Sequence, residues 1–353
     1  MKRISDEQKS DVEDAATAGL LGALPPAVVE KDLHITDVLR ILAQIEVAHI
    51  AHQKGRKKGD PRPASIPVAT RLVFAGGTCL SKAHGLVERM SEDIDIKVVL
   101  DNVPEGYVLQ DGHTDRARLG NLHRQVERLL TDIGFQLVTR DDEDNPVARD
   151  SRRYYCLSIS YAAHFQDVSG ALRPELKLEL IHRSTVLAAE MRDMGYMFDG
   201  LVPRVAPLRF SMACITVAET LAEKVLSLLR RCAWNWDGHQ RGEYDAALVR
   251  HVYDVWRIAE IRPDALAAAR QIFAELVRKE VEEFRGQHPG FDQDAYSVLR
   301  RTLASAAVHE GLKTNFEQSL KPLLYAARKP EFETCYAVFA RTAEQLLNLP
   351  PSD

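Results

Sequence analysis

Residues 93–99, DIDIKVV, alternate polar and apolar side chains. A period of two is the signature of a half-buried β-strand, whose side chains point to opposite faces in turn. Ile94 and Ile96 therefore turn inward, and Asp93 and Asp95 project together from the other face. Like charges held a few ångströms apart repel, and a cation between them relieves the repulsion. Two hard oxygen donors suit Mg2+, which keeps part of its water shell and binds substrate phosphates. Just upstream, Phe74-Ala75-Gly76-Gly77-Thr78 reads as a strand running into a Gly-Gly turn, and residues 78–88 read as a helix. Glycines let backbone N–H groups approach an anion, and a helix N-terminus carries partial positive charge. Thr78 and Ser81 add hydroxyl donors, so a phosphate cradle is expected beside a metal site.

A third carboxylate lies in ELKLEL at 175–180, where Glu175, Lys177 and Glu179 share one face and the leucines the other. Glu179 is a candidate to complete a metal triad or to act as general base on an attacking hydroxyl. The segments 154–163 and 175–182 read as two long antiparallel strands. Residues 114–132 read as a helix, 135–140 as a strand, and 141–150 as an acidic, turn-rich loop.

The periodicity changes after Thr216. Leu221, Val225, Leu228 and Leu229 share one face of a helix, and further helices follow to about residue 348. Before residue 65, residues 27–53 carry apolar positions at helical spacing, and 55–67 break helix with two glycines and three prolines. This gives an expected division into an N-terminal helical arm with a basic linker (1–64), a mixed α/β core (65–215) and a helical C-terminal domain (216–353). The class is α/β, of the α+β kind, with a mixed sheet.

Composition narrows the setting. Apolar residues make up 45% of the chain, enough for a substantial core. Five scattered cysteines without a C-x-x-C pair predict a reducing, cytoplasmic environment. The first residues lack the apolar centre of a signal peptide, and no apolar run has membrane-spanning length. The net charge of −5 is no global nucleic-acid signature, but Lys54, Arg56, Lys57, Lys58, Arg62 and Arg71 face only Asp60 within their stretch. Such a run is either a solvated loop or a contact to nucleic-acid phosphates. Trp234 and Trp236 either stack on a base or plug a helix end. There is no H-E-x-x-H, no G-x-S-x-G and no Walker A motif.

The string GGTCLSKAHGLVERMSEDIDIKV resembles the signature of the AbiEii/AbiGii nucleotidyltransferase toxins through Gly76, Gly77, Thr78, Leu80, Ser81, Lys82, Arg89, Ser91, Asp93 and Asp95. Later elements match as well: Lys177 to Glu179, Thr220 to Lys224, and Arg250 to Asp254, with His251 where the family carries aspartate. The resemblance spans about residues 70–260. It implies a polymerase-β-like nucleotidyltransferase core with a helical C-terminal part. It also implies an NTP substrate, Mg2+ (or Mn2+ in its place) on Asp93, Asp95 and Glu179, and Lys224 as a compact cation on phosphates. Asp254 then orients Lys224 or a substrate hydroxyl. Gly76, Gly77, Thr78, Ser81, Lys82 and Ser91 are the implied nucleotide-binding residues. The implied acceptor is RNA, at a tRNA 3′ end, and the implied partner an antitoxin encoded nearby. Two alternatives share this core: transfer to a small hydroxylated molecule, and a non-catalytic nucleotide-binding module.

Overall fold

The computed structural model describes residues 1–91, 93–110, 112, 114–138, 147–166, 175–201, 207–240, 242–326 and 328–348. The chain divides into two compact units. One comprises Met1–Ala83, Ser91–Thr185 and Ala189–Cys214, and the other His84–Met90, Val186–Ala188 and Ile215–Asp353.

The first unit is built on a mixed sheet. Its strands are β1 (Val47–Gln53), β2 (Ser65–Ala75), β3 (Asp93–Leu100), β4 (Tyr107–Leu109), β5 (Gln136–Val138), β6 (Ala148–Arg149), β7 (Tyr154–Ser160), β8 (Glu175–His182), β9 (Glu190–Met194) and β10 (Phe210–Cys214). Among the described residues the order is β4-β1-β2-β3-β8-β7-β5, with β6 on β7, β10 on β2 and β9 on β10. β3 and β8 run parallel, while β2–β3 and β7–β8 are antiparallel. The alternation read from the sequence is realised: Ile94, Leu176, Leu178 and Leu180 are fully buried, whereas Asp93, Asp95 and Glu179 on the opposite face are partly exposed. The unit also holds α1 (Asp6–Thr17), α2 (Pro26–Leu42), α3 (Gly76–Lys82), α4 (Asp115–Asp132) and α5 (Phe198–Leu201). α4 covers the apolar face, for its buried His123 stacks on Tyr155 of β7 at 3.9 Å.

Two segments depart from the expected helices. Residues 47–53 are extended, not helical. Val47, Ala51 and Gln53 fall on strand spacing, and β1 forms an antiparallel ladder with β2 from Val47↔Thr70 to His52↔Ser65. Sheet pairing outweighs the helical spacing of apolar residues there, and α2 ends at Leu42. The helix expected over 78–88 stops at Lys82. Gly85 takes a left-handed φ of +64°, which ends any helix there. Residues 88–90 then pair with 323–325: Tyr325 N–H donates to Glu88 O at 3.1 Å, and Met90 N–H to Leu323 O at 3.0 Å. Of the strand expected at 135–140, residues 136–138 are extended. Residues 139–146, with most of the acidic loop, lie outside the described residues.

α2 is buried along nearly its whole length, charged residues included. Its carboxylates are satisfied one by one. Glu30 accepts the N–H groups of His164 and Phe165, Asp32 binds the Lys82 ammonium at 2.6 Å and Met197 N–H at 2.7 Å, and Asp37 pairs with Lys2 at 2.9 Å. Ionised groups are tolerated in a core on these terms, each with a partner of fixed geometry.

The second unit is helical: α6 (Val217–Trp236), α7 (Arg250–Ile261), α8 (Ala265–Glu283), α9 (Pro289–Gln293), α10 (Ala295–Ala306), α11 (Glu310–Asn315) and α12 (Phe332–Leu347). Trp234 is buried against His288 and Phe291, the plug of the two roles open to it. No helix among the described residues is long and apolar enough to cross a membrane.

Candidate active site

The β2–β3 ladder sets Ala75 opposite Asp95, so the Gly-Gly-Thr segment emerges beside the paired carboxylates. Gly76 and Gly77 open α3, and Gly76 has φ +74°. A Cβ at Gly76 would overlap the Asp95 carboxylate itself. Glycine is required here twice, for the left-handed backbone and for the seat it gives Asp95. Thr78 Oγ1 donates to the Asp93 carbonyl, tying the start of α3 to the start of β3. Ser81 Oγ donates to Thr78 O at 3.0 Å. Lys82 turns its ammonium to Asp32, and both side chains are less than 10% exposed. Ser91 is buried and precedes β3.

The parallel ladder between β3 and β8 places Glu179 level with Asp95, and Lys177 level with Asp93. Lys177 Nζ lies 2.5 Å from Glu179, and the Tyr154 hydroxyl donates to Glu179 at 3.0 Å. Burial and the neighbouring Glu179 push the Tyr154 hydroxyl well above its ordinary value, so it stays a proton donor. Burial lowers the Lys177 value, but Glu179 more than offsets this and raises it overall. Among the described residues no three His, Cys, Asp or Glu side chains converge as a ready metal cage. The donors available are the adjacent hard oxygens of Asp93 and Asp95, with Glu179 held by its own partners. Their chemistry, and the carboxylate seat that a Cβ would fill, fit a Mg2+ that completes its shell with water and phosphate.

The helical unit holds a second charged cluster. Asp254, fully buried on α7, accepts two hydrogen bonds from Arg89, Nε to Oδ1 at 2.7 Å and Nη2 to Oδ2 at 2.6 Å. Lys224 on α6 approaches the same carboxylate at 2.8 Å. Burial opposes ionisation of Asp254, but the two cations outweigh it and hold its carboxyl well below the usual range. His251 is driven well below its ordinary value by burial and then by the Lys224 charge. It is therefore neutral at pH 7. Sequence reasoning matched Arg89 within its motif but gave it no role. Its function as the fork that clamps Asp254 is set by tertiary contact, because 165 residues separate the two. Tyr154 was missed too, and its only signal was its place on the polar face of the strand beside β8.

A family model described as nucleotidyl transferase AbiEii toxin, type IV TA system, matches residues 65–338. No protein with a curated description matches. Among solved structures, the chain is similar to MenT4, the nucleotidyltransferase toxin Rv2826c from Mycobacterium tuberculosis H37Rv. The TM-score is 0.55 and the identity 16%, over 97% of this chain and 90% of that one. That likeness bears on the fold, whereas the family match takes in both charged clusters and far more than half of the sequence. The chain belongs to the AbiEii nucleotidyltransferase toxins of type IV toxin–antitoxin systems.

Proposed function

We propose that this enzyme transfers a nucleotide from an NTP to an RNA acceptor, at a tRNA 3′ end, and that this transfer is the toxic act an antitoxin restrains. The observation that carries the reading is the pair Asp93 and Asp95 on one face of β3, with Asp95 seated against Gly76. The reaction forms a bond from an acceptor hydroxyl oxygen to the α-phosphorus and breaks the bond to the bridging oxygen of the β-phosphate, so pyrophosphate leaves. Asp93 and Asp95 would hold Mg2+, which neutralises phosphate charge when bound.

The protein's own groups do the rest. The Gly76 and Gly77 backbone approaches the phosphates without a side chain in the way, and Thr78 and Ser81 fix that turn through their hydrogen bonds. Ser91 offers a hydroxyl. Glu179, gripped by Lys177 and Tyr154, takes up the acceptor proton. Lys224 is assigned to the phosphates as a cation aimed by Asp254, and Arg89 keeps Asp254 in place. Lys82 acts through Asp32, by anchoring α3.

The test incubates the full-length protein with each α-labelled NTP, Mg2+ and total RNA. Wild type should label RNA with a preference for one base. Asp93→Asn and Asp95→Asn should each lose about 100-fold or more in rate. Their melting should stay within about 1 kcal/mol of wild type, because charge repulsion in the apoprotein is relieved. Labelling of a small molecule instead of RNA would overturn the acceptor, and near-wild-type transfer in either variant would overturn the metal assignment.

A further inference from the structure

The face of the sheet opposite Asp93 and Asp95 carries a second concentration of charge. Tyr154 points to the carboxylate face, where its hydroxyl meets Glu179, so its neighbour Tyr155 points to the other. His123 of α4 stacks on Tyr155, which fixes α4 on that far side. Above α4 lies an open cavity of about 290 Å3, lined among others by Thr114, Arg116, Gly120, Asn121, Arg124 and Arg152. Three of these residues carry guanidinium groups, and among the described residues no carboxylate lines the cavity.

The cations are placed by unusual backbone. Asp150, Ser151 and Arg152 are three consecutive non-glycine residues with positive φ, at 45°, 53° and 72°. L-residues resist this conformation, and it persists only where surrounding structure enforces it. Arg152 is thereby laid across α4 at Gly120. A Cβ on Gly120 would meet Arg152 Cδ at 3.4 Å, Arg152 Nε at 3.5 Å and Arg124 Nη1 at 3.6 Å. A glycine in the middle of an 18-residue helix is locally unfavourable, yet here it is the floor on which two arginines converge. Arg124 also donates to the Asn121 side-chain oxygen. Among the described residues no carboxylate pairs with Arg116 or Arg152. Buried His123 feels both neighbours: after burial itself, the charges of Arg152 and Arg124 help drive it down to about 3. Guanidinium groups gathered around a concavity match the oxygens of a phosphate, which accept their forked N–H donors in pairs.

We infer that this cavity is a second, non-catalytic anion site that binds a phosphate group through Arg116, Arg124 and Arg152. A free polyphosphate nucleotide and a nucleic-acid backbone offer the same oxygens. The site does not depend on the roles proposed for Asp93 and Asp95.

The test titrates sodium tripolyphosphate into the full-length protein in EDTA, followed by calorimetry. Wild type should show a single site weakened steeply by salt. Arg124→Gln combined with Arg152→Gln should weaken binding at least tenfold, as should Gly120→Leu, whose side chain displaces Arg152. Arg116→Gln, at an exposed position in the first turn of α4, gives a loss that cannot be attributed to misfolding. Arg128→Gln, further along the same helix and largely exposed, should leave binding unchanged. ATP and a 12-nucleotide RNA without a terminal phosphate then compete for the site. Stronger competition by ATP assigns the site to free nucleotides, and stronger competition by RNA to a nucleic-acid backbone. Failure of both to compete, absence of tripolyphosphate binding by wild type, or an equal loss in Arg128→Gln would overturn the inference.

Discussion

Asp254 is ionised where water does not reach, and Arg89 makes that tenable. Removing one member of a buried charge cluster leaves the others uncompensated, at about 3–5 kcal/mol. Arg89→Met should therefore destabilise the protein by about that much in urea unfolding. Lys224→Met should cost less, because Arg89 still neutralises Asp254. NTP binding should show the reverse order, falling most in Lys224→Met; the same order in both measurements would make Lys224 a structural cation only. The folded Asp254 value is depressed, so its stabilisation is present above the unfolded carboxylate value and fades only as pH falls through the lower folded one. Two histidines set an earlier limit. His34 and His123 are almost wholly buried, and among the described residues none of their ring nitrogens has a hydrogen-bond partner. Burial lowers His34 to about 4 against the opposing charge of Asp37, and burial followed by the charges of Arg152 and Arg124 lowers His123 to about 3. Between these values and the ordinary 6.5 the unfolded chain binds more protons, so stability is full above pH 6.5 and falls below it. The loss should reach about 2–3 kcal/mol per histidine by pH 4. His34→Phe and His123→Phe should flatten that slope in unfolding measured from pH 4.5 to 7.5, and an unchanged slope would assign the acid sensitivity to other groups.

Strands β3 and β8 were legible because polar and apolar residues alternate through 93–98 and 175–180, which gives each segment one charged and one apolar face. α6 was legible because Leu221, Val225, Leu228 and Leu229 hold a single face over more than two turns. The N-terminal region was less so. Residues 27–53 look like one amphipathic helix, but α2 has no solvent face, since Glu30, Lys31, Asp32 and Asp37 are as hidden as its leucines. Which charges are buried depends on partners such as Lys82, His164 and Met197, 50 to 165 residues away, and no local pattern reports them. That the carboxylate pair and the Gly-Gly-Thr turn lie side by side was readable from their order along the chain. The direction of Lys82 was not, because a lysine beside a glycine turn reads as a phosphate ligand until its ion pair is seen. Lys82→Met should thus lower stability by about 3 kcal/mol or more through the unpaired Asp32, with NTP affinity nearly unchanged. A tenfold loss of NTP affinity at unchanged stability would make Lys82 a direct nucleotide ligand.

At the scale of the molecule, membership among the toxins predicts that expression in a bacterial host slows growth, and that Asp93→Asn relieves it. Equal inhibition by both versions would show that toxicity does not require the carboxylates. Lys54, Arg56, Lys57 and Lys58 are exposed on the connection from β1 to β2, where they can meet a polyanion. Changing all four to glutamine should weaken RNA binding and flatten its salt dependence while sparing NTP binding. RNA affinity that stays flat from low to physiological salt would count against a phosphate contact there. Residues 84–90 and 186–188 belong to the helical unit although the chain on either side of each belongs to the sheet unit. Arg89 arrives by the first of these excursions, so a gene broken at codon 215 separates Asp254 from its guanidinium partner. Neither product of such a break is a self-sufficient module. Exchange between related loci should therefore transmit this protein as one block, and single-crossover chimaeras at that point should be lost through misfolding before selection acts on their activity.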